Sequence, residues 1–258
     1  MRLSLKKLST DEKSLILAYD QGLEHGPTDF DDVNVDPNYI LEIAKKGKYN
    51  AVILQKGIAE KYYDGSVPLI VKLNGKTNFQ KQEPIAPLLC SVKEAIDIGA
   101  CAVGYTIYVG SAHEAMMFRE FRKVQEQAHD RGLPVIAWMY PRGAAIKNEL
   151  DKNTLAYSAR IGLELGADIL KMKYNGSVED LKWIIKVAGQ AKVMIAGGSK
   201  TTDKNFLQEA SDVISAGCFG LAVGRNIWQN KEPLKITEAL RKVVFDGASV
   251  NEALKSLD

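Results

Sequence analysis

Short apolar runs recur along the chain at 14–20, 51–55, 68–74, 102–109, 134–141, 167–174, 192–198 and 220–226. Most are rich in β-branched residues and of strand length. Between most of them, apolar positions return at helical spacing over 36–46, 91–98, 111–131, 153–165, 178–189 and 203–216, which predicts amphipathic helices. Asp36-Pro37 and Ser91-Val92-Lys93-Glu94 read as helix starts, the second as a capping box. Gly47, Gly99, Gly132, Gly166 and Gly217 each follow a helical stretch, where a left-handed C-cap favours glycine. Eight strands alternating with helices predict a parallel sheet. Eight units further predict closure into an α/β fold of one kind, a single (β/α)8 TIM barrel, with residues 1–258 forming one catalytic domain. The rival is a doubly wound sheet. It more often carries a GxGxxG turn after the first strand, and the segment from Asp20 to Gly26 lacks that spacing.

Composition narrows the picture. The 258 residues are 46% hydrophobic, enough for a large core, and 26% charged, with a formal net charge of +2. That balance argues against nucleic acid or a membrane surface as partner. Apolar runs such as that from Ala51 to Leu54 are far shorter than the roughly 20 residues of a membrane helix. The basic N-terminus has no apolar core of a signal peptide. Cys90, Cys101 and Cys218 show no CxxC spacing, so neither a disulfide framework nor a zinc site is expected and a reducing cytoplasm fits. No His/Asp/Glu group has metal-ligand spacing, so no metal and no cofactor is expected.

A barrel places its chemistry at the C-terminal ends of the strands. Those ends are polar here: Asp20; Gln55 and Lys56; Lys72 and Asn74; Tyr105 and Tyr108; Trp138, Tyr140 and Arg142; Lys171 and Lys173; Gly197 to Lys200; and Gly224 to Asn226. The sixth strand is the most informative. Side chains alternate along a strand, so Lys171 and Lys173 share a face. Outward, they would be unpaired charges buried under a helix, which is costly. Inward, each discourages protonation of the other, and desolvation acts the same way. A lysine so depressed is an amine nucleophile toward a carbonyl. Spacing alone does not choose between the two, and an ion pair with a carboxylate such as Asp20 is the bland alternative. On the fifth strand, Trp138 and Tyr140 share a face. Nearby ammonium groups are expected to pull the Tyr140 phenol down in pKa, which suits proton transfer.

The turns 196–200 and 222–226 end consecutive strands, and 227–229 reads as a short helix. Barrels commonly bind phosphate there. Glycine lets backbone approach an oxyanion, and Ser199, Lys200 and Arg225 add donors. Asp20 is a candidate for proton relay or for orienting Lys171. Glu24 and His25 follow it; His25 could bind phosphate or hydroxyl, or be a satisfied loop residue. His113 and His129 read as surface residues. The stretch from Gln55 to Gly75, with Lys56, Lys61 and Lys72 and with Lys76 just past it, reads as a solvated loop, with a lid or second anion site as the functional option.

Seven segments carry a resemblance: AYDQGLEHGP at 18–27, IAEKYYDGSVPLIVKLNGKT at 58–77, GYTIYVGS at 104–111, WMYPRG at 138–143, IGLELGADILKMKYNG at 161–176, AGGSKT at 196–201 and VGRNIWQ at 223–229. Together they resemble the archaeal-type class I fructose-bisphosphate aldolases, within a wider family that includes dehydroquinate-pathway and autoinducer-processing aldolases. The resemblance spans nearly the whole barrel. It implies that Lys171 forms the Schiff base, that Tyr140 is the general acid and base, and that Asp20 and Trp138 stand against the substrate. It implies that Gly197, Gly198, Gly224 and Arg225 hold the phosphate beside the carbonyl carbon. The expected site is then Lys171, Tyr140 and Asp20 for catalysis. Trp138, Lys173, Arg142, His25, Gly197, Gly198, Ser199, Lys200, Gly224 and Arg225 bind a sugar-phosphate substrate. The resemblance also implies a homo-oligomer built on rings, often a decamer. Gln21, Ser199 and Val109 depart from the family's common histidine and prolines. The expected reaction is reversible cleavage of fructose 1,6-bisphosphate. Its alternatives are an aldolase or transaldolase of the 2-amino-3,7-dideoxy-heptulosonate type, and a sugar-phosphate isomerase or binding barrel.

Overall fold

The computed structural model describes residues 3–257. Its strands are β1 Ser14–Tyr19, β2 Ala51–Gln55, β3 Leu69–Lys72, β4 Ala100–Ile107, β5 Val135–Met139, β6 Ile169–Met172, β7 Lys192–Ala196 and β8 Gly220–Val223. Each pairs in parallel with its neighbour in sequence, and β8 closes back on β1, with Ser14 opposite Gly220. The architecture is therefore the expected (β/α)8 barrel. Its helices are α1 Gly22–His25, α2 Pro37–Lys46, α3 Lys56–Tyr62, α4 Val92–Asp97, α5 Glu114–His129, α6 Lys152–Glu164, α7 Val178–Ala188, α8 Asp203–Ser215, α9 Arg225–Trp228, α10 Pro233–Arg241 and α11 Val250–Leu254. No helix among the described residues is long and apolar enough to cross a membrane.

Alternation along the strands builds two cores. Ile16, Ile53, Ile70, Ile136, Ile169 and Met194 point into the barrel, joined by Leu8 and Phe219 from just before β1 and β8. Their neighbours Leu15, Leu17, Val52, Val71, Ala137, Leu170, Met172 and Ile195 pack outward under the helices. Each large side chain buried this way contributes about 1.5–3 kcal/mol. Two residues further along the same inward rows, the side chains change character: Lys72 follows Ile70, Trp138 follows Ile136 and Lys171 follows Ile169. Trp138 fits inside only because β4 offers Gly104 beside it. A Cβ there would stand 2.0 Å from the indole Cζ3.

The helix ends follow the sequence signals with one exception. Asp36 caps α2 and Ser91 forms a full capping box with Glu94. Gly99, Gly132, Gly166 and Gly217 have positive φ, but Gly47 sits at φ −75° and Lys48 takes the left-handed position at φ 52°. Gly47 instead answers to crowding, since a Cβ would lie 2.8 Å from both Thr237 Cγ2 and Tyr49 Cε2. The stretch expected as a solvated loop after β2 contains α3 and runs into β3, whose Lys72 is only 2% exposed.

Candidate active site

The C-terminal ends of the strands surround a cavity of about 520 Å3. It is lined by Asp20, Trp138, Tyr140, Arg142, Lys171, Lys173, His25, Gly197, Gly198, Ser199, Gly224 and Arg225. These are the residues expected to act, with one exception. Lys200 does not line the cavity, and its ammonium donates to the Gln229 carbonyl instead.

Lys171 is 4% exposed. Its Nζ has no hydrogen bond or ion pair among the described residues; it stands 4.8 Å from the centroid of the Trp138 ring. Burial pushes its pKa down, and the positive charge of Lys72 pushes the same way, against the pull of Asp20 and Glu24. The neighbouring cation is therefore Lys72 on β3, not Lys173 as the sequence suggested. Lys173 lies one residue past β6 and is neutralised by Glu149, with Oε1 2.5 Å from Nζ.

Lys72, polar at its strand end but outside the expected site, also lines the cavity. Its Nζ lies 2.8 Å from Glu24 Oε1, 3.4 Å from Asp20 Oδ2 and 5.7 Å from the centroid of Trp138. Burial alone would lower its pKa, but the two carboxylates overcome that and hold it charged well above the usual lysine range. Asp20 is the converse. Burial would raise it, but Lys171 and Lys72 hold it below the usual aspartate range, so it is ionised. The alternation that singled out Lys171 also applies to Lys72, two residues beyond inward Ile70; the signal was present. Glu24 sits on α1, and its other oxygen accepts from Tyr108 at 3.5 Å.

Tyr140 corrects an expectation. Its pKa is raised, not lowered: burial is the main cause, and the carboxylates of Asp20 and Glu24 add to it, opposed by Arg142. The phenol is held protonated. Arg142 stacks 5.7 Å from the centroid of Tyr140 and 5.9 Å from that of Tyr108.

On the opposite side, the turns after β7 and β8 are tied together by Asn226. Its side chain donates to Gly197 O at 2.7 Å and Ser199 O at 3.2 Å, and accepts from Thr201 N at 2.9 Å. Arg225 donates to Gly198 O and pairs with Asp29, which also bonds His25 Nδ1 at 2.7 Å. Gly198 has φ +60°, open to glycine without strain. One rim thus carries glycine backbone and a guanidinium; the centre carries a depressed lysine, an ionised aspartate and a protonated phenol. Such a set can bind an anion and condense an amine with a carbonyl.

Comparison with known proteins agrees with that chemistry. The family model described as DeoC/LacD family aldolase matches residues 14–230. A class 1 fructose-bisphosphate aldolase of Thermoproteus tenax is 50% identical over 245 residues, covering 94% of this chain and 93% of its own. A counterpart from Halobacterium salinarum is 48% identical, covering 96% of both. Among solved structures, an archaeal fructose-1,6-bisphosphate aldolase with its catalytic lysine covalently bound to the carbinolamine intermediate superposes with a TM-score of 0.91. It is 48% identical, covering 93% of this chain and 97% of that one.

Proposed function

The chain belongs to the DeoC/LacD family of aldolases, and from there we propose which of its residues perform the chemistry. The reaction is the class I, Schiff-base cleavage of fructose 1,6-bisphosphate to dihydroxyacetone phosphate and glyceraldehyde 3-phosphate, and its reversal, in glycolysis and gluconeogenesis. One observation supports the assignment of Lys171 above all: it is a buried lysine with no carboxylate on its nitrogen, placed near a second, permanently charged lysine.

Neutral Lys171 attacks the C2 carbonyl and gives a carbinolamine. A phenol held protonated must donate before it can accept, so Tyr140 first gives its proton to the departing hydroxyl, and water leaves. The iminium so formed carries a positive charge near the carboxylate of Asp20, which stabilises it. The Tyr140 phenolate next takes the proton of the C4 hydroxyl. The C3–C4 bond breaks, its electrons pass to the iminium nitrogen, and glyceraldehyde 3-phosphate leaves. Protonation of the enamine at C3 and addition of water release dihydroxyacetone phosphate and restore Lys171. Trp138 forms the wall against which the amine is held. The turns around Gly197, Gly198, Ser199, Gly224 and Arg225 take the phosphate on C1.

The chain acts as one catalytic domain in a reducing cytoplasm, a setting in which Cys90, Cys101 and Cys218 stay free thiols. Exposed Tyr157 and Trp183, on α6 and α7, support self-association into a homo-oligomer. A substrate panel tests the reading: cleavage of fructose 1,6-bisphosphate that persists in EDTA is expected. Use of aspartate semialdehyde without cleavage of the bisphosphate would favour the heptulosonate-type aldolase and overturn it.

A further inference from the structure

Two cations on the rim away from the β7 and β8 turns play no part in the steps above. Arg142 follows β5 and Lys173 follows β6, and both line the cavity. Like charges placed together repel and would turn apart into solvent without a counter-charge. Glu149, on the connection to α6, supplies it. Its Oε1 lies 2.5 Å from Lys173 Nζ and its Oε2 accepts from Arg142 Nε at 3.2 Å. Glu149 is not among the residues lining the cavity, so it holds the two cations from behind. Burial would raise its carboxyl, but the hydrogen bond and charge of Lys173, with Arg142, hold it below the usual glutamate range.

One carboxylate against two cations leaves the group net positive. The terminal guanidinium nitrogens of Arg142 have no hydrogen-bond partner among the described residues, and its plane is steadied over the rings of Tyr108 and Tyr140. Free guanidinium donors beside an ammonium suit a phosphate dianion. A ketose with its carbonyl at Lys171 and its C1 phosphate at the β7 and β8 turns has its far end left for the other side of Lys171. Arg142, past β5, and Lys173, past the end of β6, line the cavity there.

We propose that Glu149 is a positioning residue that brackets Arg142 and Lys173 into one site for the distal phosphate, and so sets a preference for sugar bisphosphates over monophosphates. This rests on the reaction proposed above. Glu149→Gln keeps the shape and removes the charge. It is compared with the unaltered protein on fructose 1,6-bisphosphate and on fructose 1-phosphate, which differ only in the distal phosphate. The ratio of kcat/KM for bisphosphate over monophosphate falls about fivefold, the loss of an exposed bracket of two ion pairs. The change appears in KM for the bisphosphate rather than in kcat. Borohydride trapping of the variant with fructose 1-phosphate checks that it is folded and competent. An unchanged ratio would overturn the proposal, and so would a rise, which would mean that Glu149 only opposes the incoming anion. Failure of the unaltered protein to form an imine with either sugar would instead remove the reaction itself.

Discussion

Lys72→Met takes one ammonium out of a site where its side chain is almost wholly buried. Lys72 Nζ is 2.8 Å from Glu24 and 3.4 Å from Asp20. At an effective dielectric near 20, each contact is worth about 5 kcal/mol before desolvation. Removing one partner of such a buried group costs about 3–5 kcal/mol of stability, because the carboxylates stay behind unpaired. The functional effect has a definite sign. In the native site, burial and Lys72 both lower the Lys171 pKa, while Asp20 and Glu24 raise it. Without Lys72, burial alone is left to oppose the two carboxylates, so the Lys171 pKa climbs. A like charge several ångströms away is worth about 2 kcal/mol at that dielectric, or about 1.5 pH units. Imine formation needs neutral Lys171. The acid limb of kcat/KM, which reports the free enzyme, therefore moves up by about 1–2 pH units. Below the limb, the variant is slower by about 10–100-fold. The assay is the pH profile of kcat/KM for fructose 1,6-bisphosphate, run below the lowered Tm. Lys72→Arg keeps the charge and should keep the limb close to its native place. A folded Lys72→Met protein whose limb stays put, or moves to lower pH, would refute the electrostatic argument.

Tyr140→Phe removes the proton carrier and leaves the amine: kcat for cleavage should fall by about 10²–10⁴-fold, measured at saturating fructose 1,6-bisphosphate, while Tm changes little. Gly104→Ala places a methyl 2.0 Å from the Trp138 ring; overpacking of this kind costs about 1–3 kcal/mol, read as a drop in Tm. The displaced indole no longer walls Lys171, so kcat/KM should fall too. An unchanged melting curve would mean that the indole can turn aside freely.

The barrel was legible in the chain because its strands are apolar, short and regularly separated by amphipathic helices. The inward direction of Lys171 was legible for the same reason, since alternation from Ile169 is a local property. Lys72 obeys the same rule from Ile70, yet β3 is four residues long and lies among loop lysines, so the sequence fits both a strand end and a solvated loop there. The sign of the Tyr140 shift was not legible at all. Burial is its main cause, and Asp20 and Glu24, which lie far off in sequence, add to it; both arise only when the barrel closes. The partner of Lys173 was hidden likewise: Glu149 sits in an irregular connection with no periodicity to announce where its carboxylate goes. Lys200 shows the opposite error, a basic residue in a phosphate-binding turn whose side chain bends away to Gln229. Gly47 stands where a left-handed cap favours glycine, but its small size is what the packing requires.

The covalent step is tested most directly by mass spectrometry of the protein reduced with borohydride in the presence of fructose 1,6-bisphosphate. A single adduct of the reduced triose or hexose phosphate is expected on the peptide holding Lys171, and none on the Lys171→Met protein. An adduct on Lys173 or Lys72, or turnover without any adduct, would contradict the account.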